Sequence, residues 1–110
     1  MVHIVKRWFM NIDEYTAKLL SAVGQENRIR IIKFLAGGEK CVCEIFPALG
    51  IEQSNLSKHL RVLTDAGILE SRKEGLSVYY RIIDIRVLDI LELADKIKRS
   101  EIKKLSELIN

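Results

Sequence analysis

Gln53-Ser54-Asn55-Leu56-Ser57-Lys58-His59-Leu60-Arg61-Val62-Leu63 carries Leu56, Leu60 and Leu63 at i, i+4 and i+7, the spacing of one buried stripe on an α-helix. Gln53, Ser54, Asn55, Ser57, Lys58 and Arg61 are left on the outward side. Amides and hydroxyls near a helix N-terminus, followed by long cations, pair with base edges and phosphates when a helix lies in a major groove. A solvated helix face has the same composition, so the flanking segments decide between the two.

Upstream, Cys41 to Leu49 reads as a short helix carrying Val42, Ile45 and Leu49. Pro47 lies inside it; proline lacks an N–H and crowds the preceding turn, so a kinked or late-starting helix is expected. Gly50-Ile51-Glu52 is then a connection of the length and glycine content that a helix-turn-helix requires. Before these lies a helix of about Glu26 to Leu35, burying Ile29, Ile32 and Leu35 or Ala36 and stopped by Gly37-Gly38. A helix over residues 14 to 22, capped by Asp13 and ended by Gly24, is expected first.

Downstream, Gly67 ends the opening stretch and the periodicity changes. Ile68 to Lys73 and Leu76 to Ile83 flank Glu74-Gly75, with Val78, Tyr80 and Ile82 alternating against Tyr79, Arg81 and Ile83, which reads as a two-stranded hairpin. A lone hairpin is marginal in water and must lean on the helices. Its Arg72, Lys73, Ser77 and Arg81 are placed to reach a phosphate backbone. Arg86 to Ile109 then sets Val87, Ile90, Leu91, Ala94, Ile97, Ile102, Leu105 and Leu108 at helical spacing, more apolar surface than a small domain covers. Val2, Ile4, Val5, Trp8 and Phe9 are the apolar opening residues, and with the N-terminal helix the last segment makes a natural dimer interface. The expected fold is mostly α with a small β-hairpin: a single winged helix-turn-helix domain over residues 1–110, homodimeric through its N- and C-terminal helices.

Composition sets the outer bounds. A chain of 110 residues suits one domain, and a formal charge of +3 permits nucleic-acid binding without demanding it. There is no apolar run of membrane-spanning length and no signal-peptide pattern, so a cytoplasmic protein with no membrane contact is expected. No serine, histidine and acid arrangement and no phosphate-binding glycine loop suggests an enzyme. Cys41 and Cys43 are too close in sequence to staple distant parts of the chain, and cytosolic thiols are normally reduced. They are therefore packing or chemistry.

Several runs now stand together: Leu20-Ser21-Ala22-Val23-Gly24-Gln25-Glu26-Asn27-Arg28-Ile29-Arg30-Ile31, Glu39-Lys40-Cys41-Val42-Cys43-Glu44-Ile45, Gln53 to Leu60, Glu74-Gly75 and Val78-Tyr79-Tyr80-Arg81. In this order and spacing the chain resembles the ArsR/SmtB family of metal-responsive repressors. The resemblance implies a dimeric winged helix that binds double-stranded operator DNA and leaves it when a toxic metal or metalloid binds. It also implies that Gln53, Ser54, Asn55, Ser57 and Lys58 face the major groove, and that Arg72, Lys73 and Tyr79 belong to the wing. Glu52 stands where many relatives have serine and is a poorer N-cap, leaving Ser54 to take the capping role; Leu76 stands at a wing position frequently basic in relatives. His59 matches a common family histidine and is read as a hydrogen-bonded, half-buried support of the fold.

The Cys41-Val42-Cys43 box carries the chemistry. On a regular helix residues i and i+2 diverge, whereas in extended backbone they share a face. Two thiolates on one ion therefore favour an unwound helix start, and ligand binding is expected to straighten residues 41–43 and shift the helix against the recognition helix. Two soft thiolates select As(III), Sb(III), Cd(II) or Cu(I), with no cofactor required. Arsenite-sensing relatives have a third cysteine where Phe46 stands here, and some relatives draw a ligand from the partner chain's N-terminal arm, which implies His3. The family's other metal site, on the last helix, finds Asp84 followed by Arg86, Ile97 and Ser100, so zinc is not expected there. The alternatives are thiol oxidation at the same pair, no ligand at all, or a winged helix used for protein contact.

Overall fold

The computed structural model describes residues 11–109; His3 and the apolar opening residues lie outside the described part. Helix α1, Ile12–Val23, is capped by Asn11 and not by Asp13. The Asn11 side-chain oxygen accepts from the Glu14 N–H at 2.9 Å, and Asp13 falls in the first turn, where its charge suits the helix dipole. Helix α2, Glu26–Phe34, is capped by Gln25 and runs into a tight turn over Leu35–Gly37. It buries Ile31, Ile32 and Leu35, while Ile29 is half-buried and Ala36 exposed, so its inward stripe is rotated slightly from the expected one.

Strand β1, Lys40–Cys41, is absent from the sequence reading because two residues cannot show an alternation. Helix α3, Val42–Leu49, starts one residue later than expected, with Cys41 outside it as the N-cap. Pro47 is its sixth residue, and the helix continues past it to Leu49. The missing N–H leaves one carbonyl, that of Cys43, without its helix partner, and the proline itself is exposed. Gly50 turns the chain with φ 65°, and the buried Ile51 anchors the connection before α4, Gln53–Asp65. Leu56, Leu60 and Leu63 are all buried, as their spacing required.

Helix α4 ends as Gly67 foretold. With φ 76° at Gly67, the Gly67 N–H reaches the Thr64 carbonyl and the Ile68 N–H reaches the Leu63 carbonyl, both at 3.0 Å. This double closure satisfies the last carbonyls and turns Ile68 into the core. Strands β2, Leu69–Glu74, and β3, Ser77–Ile82, form the wing, and the antiparallel sheet has the order β1-β3-β2. Glu74 pairs with Ser77, so the turn is Gly75-Leu76, one residue beyond the expected Glu74-Gly75. Gly75, at φ 61°, takes the first central position, where a two-residue hairpin demands a positive φ. Leu76 is thereby placed fully exposed at the tip.

Helix α5, Val87–Ile109, buries only Val87 and Leu91. Leu93, Ile97, Ile102, Leu105 and Leu108 stay exposed, as do Ile12, Tyr15 and Leu20 of α1. A 2.8 Å ion pair from Lys33 to Asp95 pins α5 to α2. No helix among the described residues is long and apolar enough to cross a membrane.

Candidate nucleic-acid interface and cysteine site

The buried leucine stripe of α4 sets its other side in solvent: Gln53, Ser54, Asn55, Ser57, Lys58 and Arg61 are all exposed. Glu52 is the N-cap residue and makes no capping bond with its side chain. Ser54 does not take over that role, because its hydroxyl donates to Glu52 Oε1 at 3.1 Å. The opening N–H groups of α4 thus keep their capacity to meet an anion, with the Glu52 carboxylate beside them. Lys58 and Arg61 have no ion-pair partner among the described residues.

The wing sorts its charges by strand alternation. Glu70, Arg72 and Glu74 pair across β3 with Arg81, Tyr79 and Ser77 and share one face; Lys73 pairs with Val78 on the other. On the first face Arg72 donates from Nε to both Glu39 oxygens at 2.9 Å, from Nη2 to Glu39 at 2.7 Å and from Nη1 to Glu74 at 2.6 Å. Its guanidinium also lies 4.5 Å from the Tyr79 ring centre, and Arg81 is paired with Glu70. The Arg72 hydrogen bond holds the Glu39 carboxyl below the usual carboxylate range. Arg72 and Tyr79, expected as DNA contacts, are therefore bound within an acidic cluster, while Lys73, paired with Val78, lies on the other face of the wing. The alternation Glu70, Arg72, Glu74 was the available signal for this arrangement; Glu39 had none, since it arrives from a distant segment.

Behind the reading face, Arg28 joins three elements. Its Nε donates to the Ala22 carbonyl, Nη2 to the Ser21 carbonyl at 3.4 Å, and Nη1 lies 3.3 Å from His59 Nδ1. A guanidinium only donates, so Nδ1 accepts and His59 is neutral. Burial, and then the Arg28 charge, push the histidine below its usual value. This is the supporting role read for His59.

Cys41 closes β1, pairs with Tyr79 and has extended backbone at φ −69° and ψ 146°. Its N–H donates to Glu44 Oε2 at 2.9 Å, and the Cys43 N–H donates to Cys41 Sγ at 3.1 Å. The two sulfurs converge and are joined in a disulfide with the Cα atoms 5.1 Å apart. Reduced thiols were expected; the bridge is local and links nothing distant in the chain. Cys41 is already extended through its strand pairing, while Val42 and Cys43 lie in the first turn of α3. Beside the pair lies a groove of about 500 Å³, between α4 and the wing, lined by Ser57, Arg61, Ser77 and Tyr80 as well as both cysteines. No group of three or more His, Cys, Asp or Glu side chains able to hold a metal occurs among the described residues, and His3 lies outside them.

Comparison with known proteins places this geometry among regulators. The family model described as bacterial regulatory protein, arsR family, matches residues 25–71, from α2 into β2. An uncharacterized HTH-type transcriptional regulator of Methanocaldococcus jannaschii is 41% identical over 85 residues, covering 76% of this chain and 96% of that protein. A transcriptional repressor SmtB homolog of Synechocystis is 32% identical, covering 84% and 72%. The solution structure of a homodimeric winged helix-turn-helix DNA-binding domain from Mycobacterium bovis, a possible ArsR-family regulator, superimposes with a TM-score of 0.71 at 28% identity, over 83% of this chain and 84% of that one.

Proposed function

The chain belongs to the arsR family of bacterial regulatory proteins, and from that premise we propose that it is a homodimeric repressor whose hold on operator DNA is switched at Cys41 and Cys43. The observation that carries this reading is the convergence of both sulfurs beside the groove between the recognition helix and the wing. The operator is palindromic, read by two α4 helices about one DNA turn apart, roughly 34 Å. Gln53, Asn55 and Ser57 meet base edges, while Lys58, Arg61 and Lys73 meet phosphates. The exposed apolar faces of α1 and α5 support the dimer.

In its dithiol form the pair suits a soft ion: As(III), Sb(III), Cd(II) or Cu(I). Cys41 and Cys43 would hold it, and the ion would supply a bridge between the strand end and the first turn of α3. Because Cys41 also pairs with Tyr79, any change at the sulfurs reaches the wing through β1 and α4 through α3. Differential affinity for the two arrangements then becomes a change in DNA affinity. The disulfide supports a second reading, in which oxidation of the pair is itself the signal.

The test is a near-ultraviolet titration of the reduced protein with each of the four ions, alongside the Cys41→Ser/Cys43→Ser variant. Thiolate charge-transfer absorption saturating at one ion per chain, absent in the variant, is the expected result. Absorption with none of them would leave the oxidation reading. Loss of DNA binding in Cys41→Ser itself would make the cysteines structural and overturn both.

A further inference from the structure

We infer, resting on the soft-metal reading above, that the groove takes the metalloid together with a small carboxylate-bearing thiol: its sulfur is the third donor and its carboxylate is received by Arg61. Trivalent arsenic and antimony make three bonds, yet the described residues offer two sulfurs and no third ligand grouped with them. Phe46, the next candidate along the box, is an exposed hydrocarbon. The space next to the pair is about 500 Å³, within the range that takes small molecules. Its lining is mixed. Besides the two cysteines, Leu60 and Val78 offer apolar contact for a short methylene chain, and Ser57, Ser77 and Arg61 supply donors. Arg61 has no ion-pair partner among the described residues, and its planar fork matches a carboxylate.

The chemistry balances without a further reactant. Two molecules of the small thiol reduce the Cys41–Cys43 bridge by exchange and leave as their own disulfide. Arsenous acid then exchanges its three hydroxyls for three sulfurs, from Cys41, Cys43 and one small thiol; each departing hydroxide takes a thiol proton and leaves as water, and arsenic stays trivalent. The bound carboxylate takes up the Arg61 guanidinium, which the reading face would otherwise offer to a phosphate.

The experiment uses the full chain, reduced and desalted, titrated with arsenite in the presence of 3-mercaptopropionate or its neutral analogue 3-mercaptopropionamide. Sulfur-to-arsenic absorption gives affinity, and native mass spectrometry gives composition. The expected result is one chain, one arsenic and one thiol per complex, with arsenite at least tenfold tighter in the carboxylate thiol, about 1.4 kcal/mol. In Arg61→Gln that preference falls to the ratio the two thiols show toward arsenite alone. Equal affinity with both thiols overturns the Arg61–carboxylate contact, and saturation with no added thiol overturns the ternary site and leaves a sensor completed by the protein or by water. No absorption under any condition overturns the soft-metal reading itself.

Discussion

Glu39→Gln should make the protein bind DNA with a steeper dependence on salt. In the native wing, Glu39 accepts from Nε and Nη2 of Arg72, leaving only Nη1 for Glu74. On one face of the wing three acids, Glu39, Glu70 and Glu74, meet two bases, Arg72 and Arg81, so that face offers no net positive charge to phosphate, and Lys73 lies on the other. Removing the Glu39 charge releases most of the guanidinium. One extra phosphate contact adds about −0.9 to the slope of log affinity against log salt. Raising salt from about 50 to about 200 mM should then weaken the variant about 3.5-fold more than the wild type. Because this contribution is independent of sequence, fluorescence anisotropy with a labelled duplex of arbitrary sequence suffices. Arg72→Ala in the Glu39→Gln background should abolish the gain. An unchanged slope in Glu39→Gln would refute the claim that its acidic partner withholds Arg72 from DNA.

Other expectations follow from single contacts. Lys58→Ala should flatten the same salt slope by about 0.9 without altering the thermal midpoint. Leu63 is fully buried, so Leu63→Ala should cost about 2–5 kcal/mol by urea denaturation. His59 is held below its usual 6.5, so unfolded chains take up the proton first; its contribution to stability is complete above about pH 6.5 and is lost as pH falls through that value and below. His59→Gln should therefore flatten the decline in melting temperature between about pH 7 and about pH 5. Hydrogen bonds from Arg86 pull Asp84 down to about 2 from 3.8, so its contribution is present above 3.8 and lost as pH falls toward 2. Asp84→Asn should lower the melting temperature at neutral pH, by an amount that shrinks as pH falls through about 2.

What was legible in the residues depended on how far a feature reaches along the chain. The leucine stripe of α4, its glycine stop and the outward polar face are local and periodic, and each is found in place. The cap of α1 was read as Asp13 and is Asn11, because the capping residue depends on where the first turn closes. Strand β1 exists only through its pairing with β3, a contact between residues 40 and 80 that two residues of sequence do not announce. That pairing is also what keeps Cys41 extended and brings the sulfurs together. The neutralisation of Arg72 was half visible, in the alternation of Glu70 and Glu74, and half hidden in Glu39, 33 residues away.

Arg28 grips the last carbonyls of α1 on one side and reaches His59 of α4 on the other. In a dimer assembled through α1 and α5, this makes the guanidinium part of a ruler. The spacing of the two reading heads is then set by how stiffly each is fastened to the helix its partner touches. On the proposed dimer, an operator with half-sites one base pair too close or too far is then expected to be met by bending or twisting the DNA rather than by spreading of the two heads.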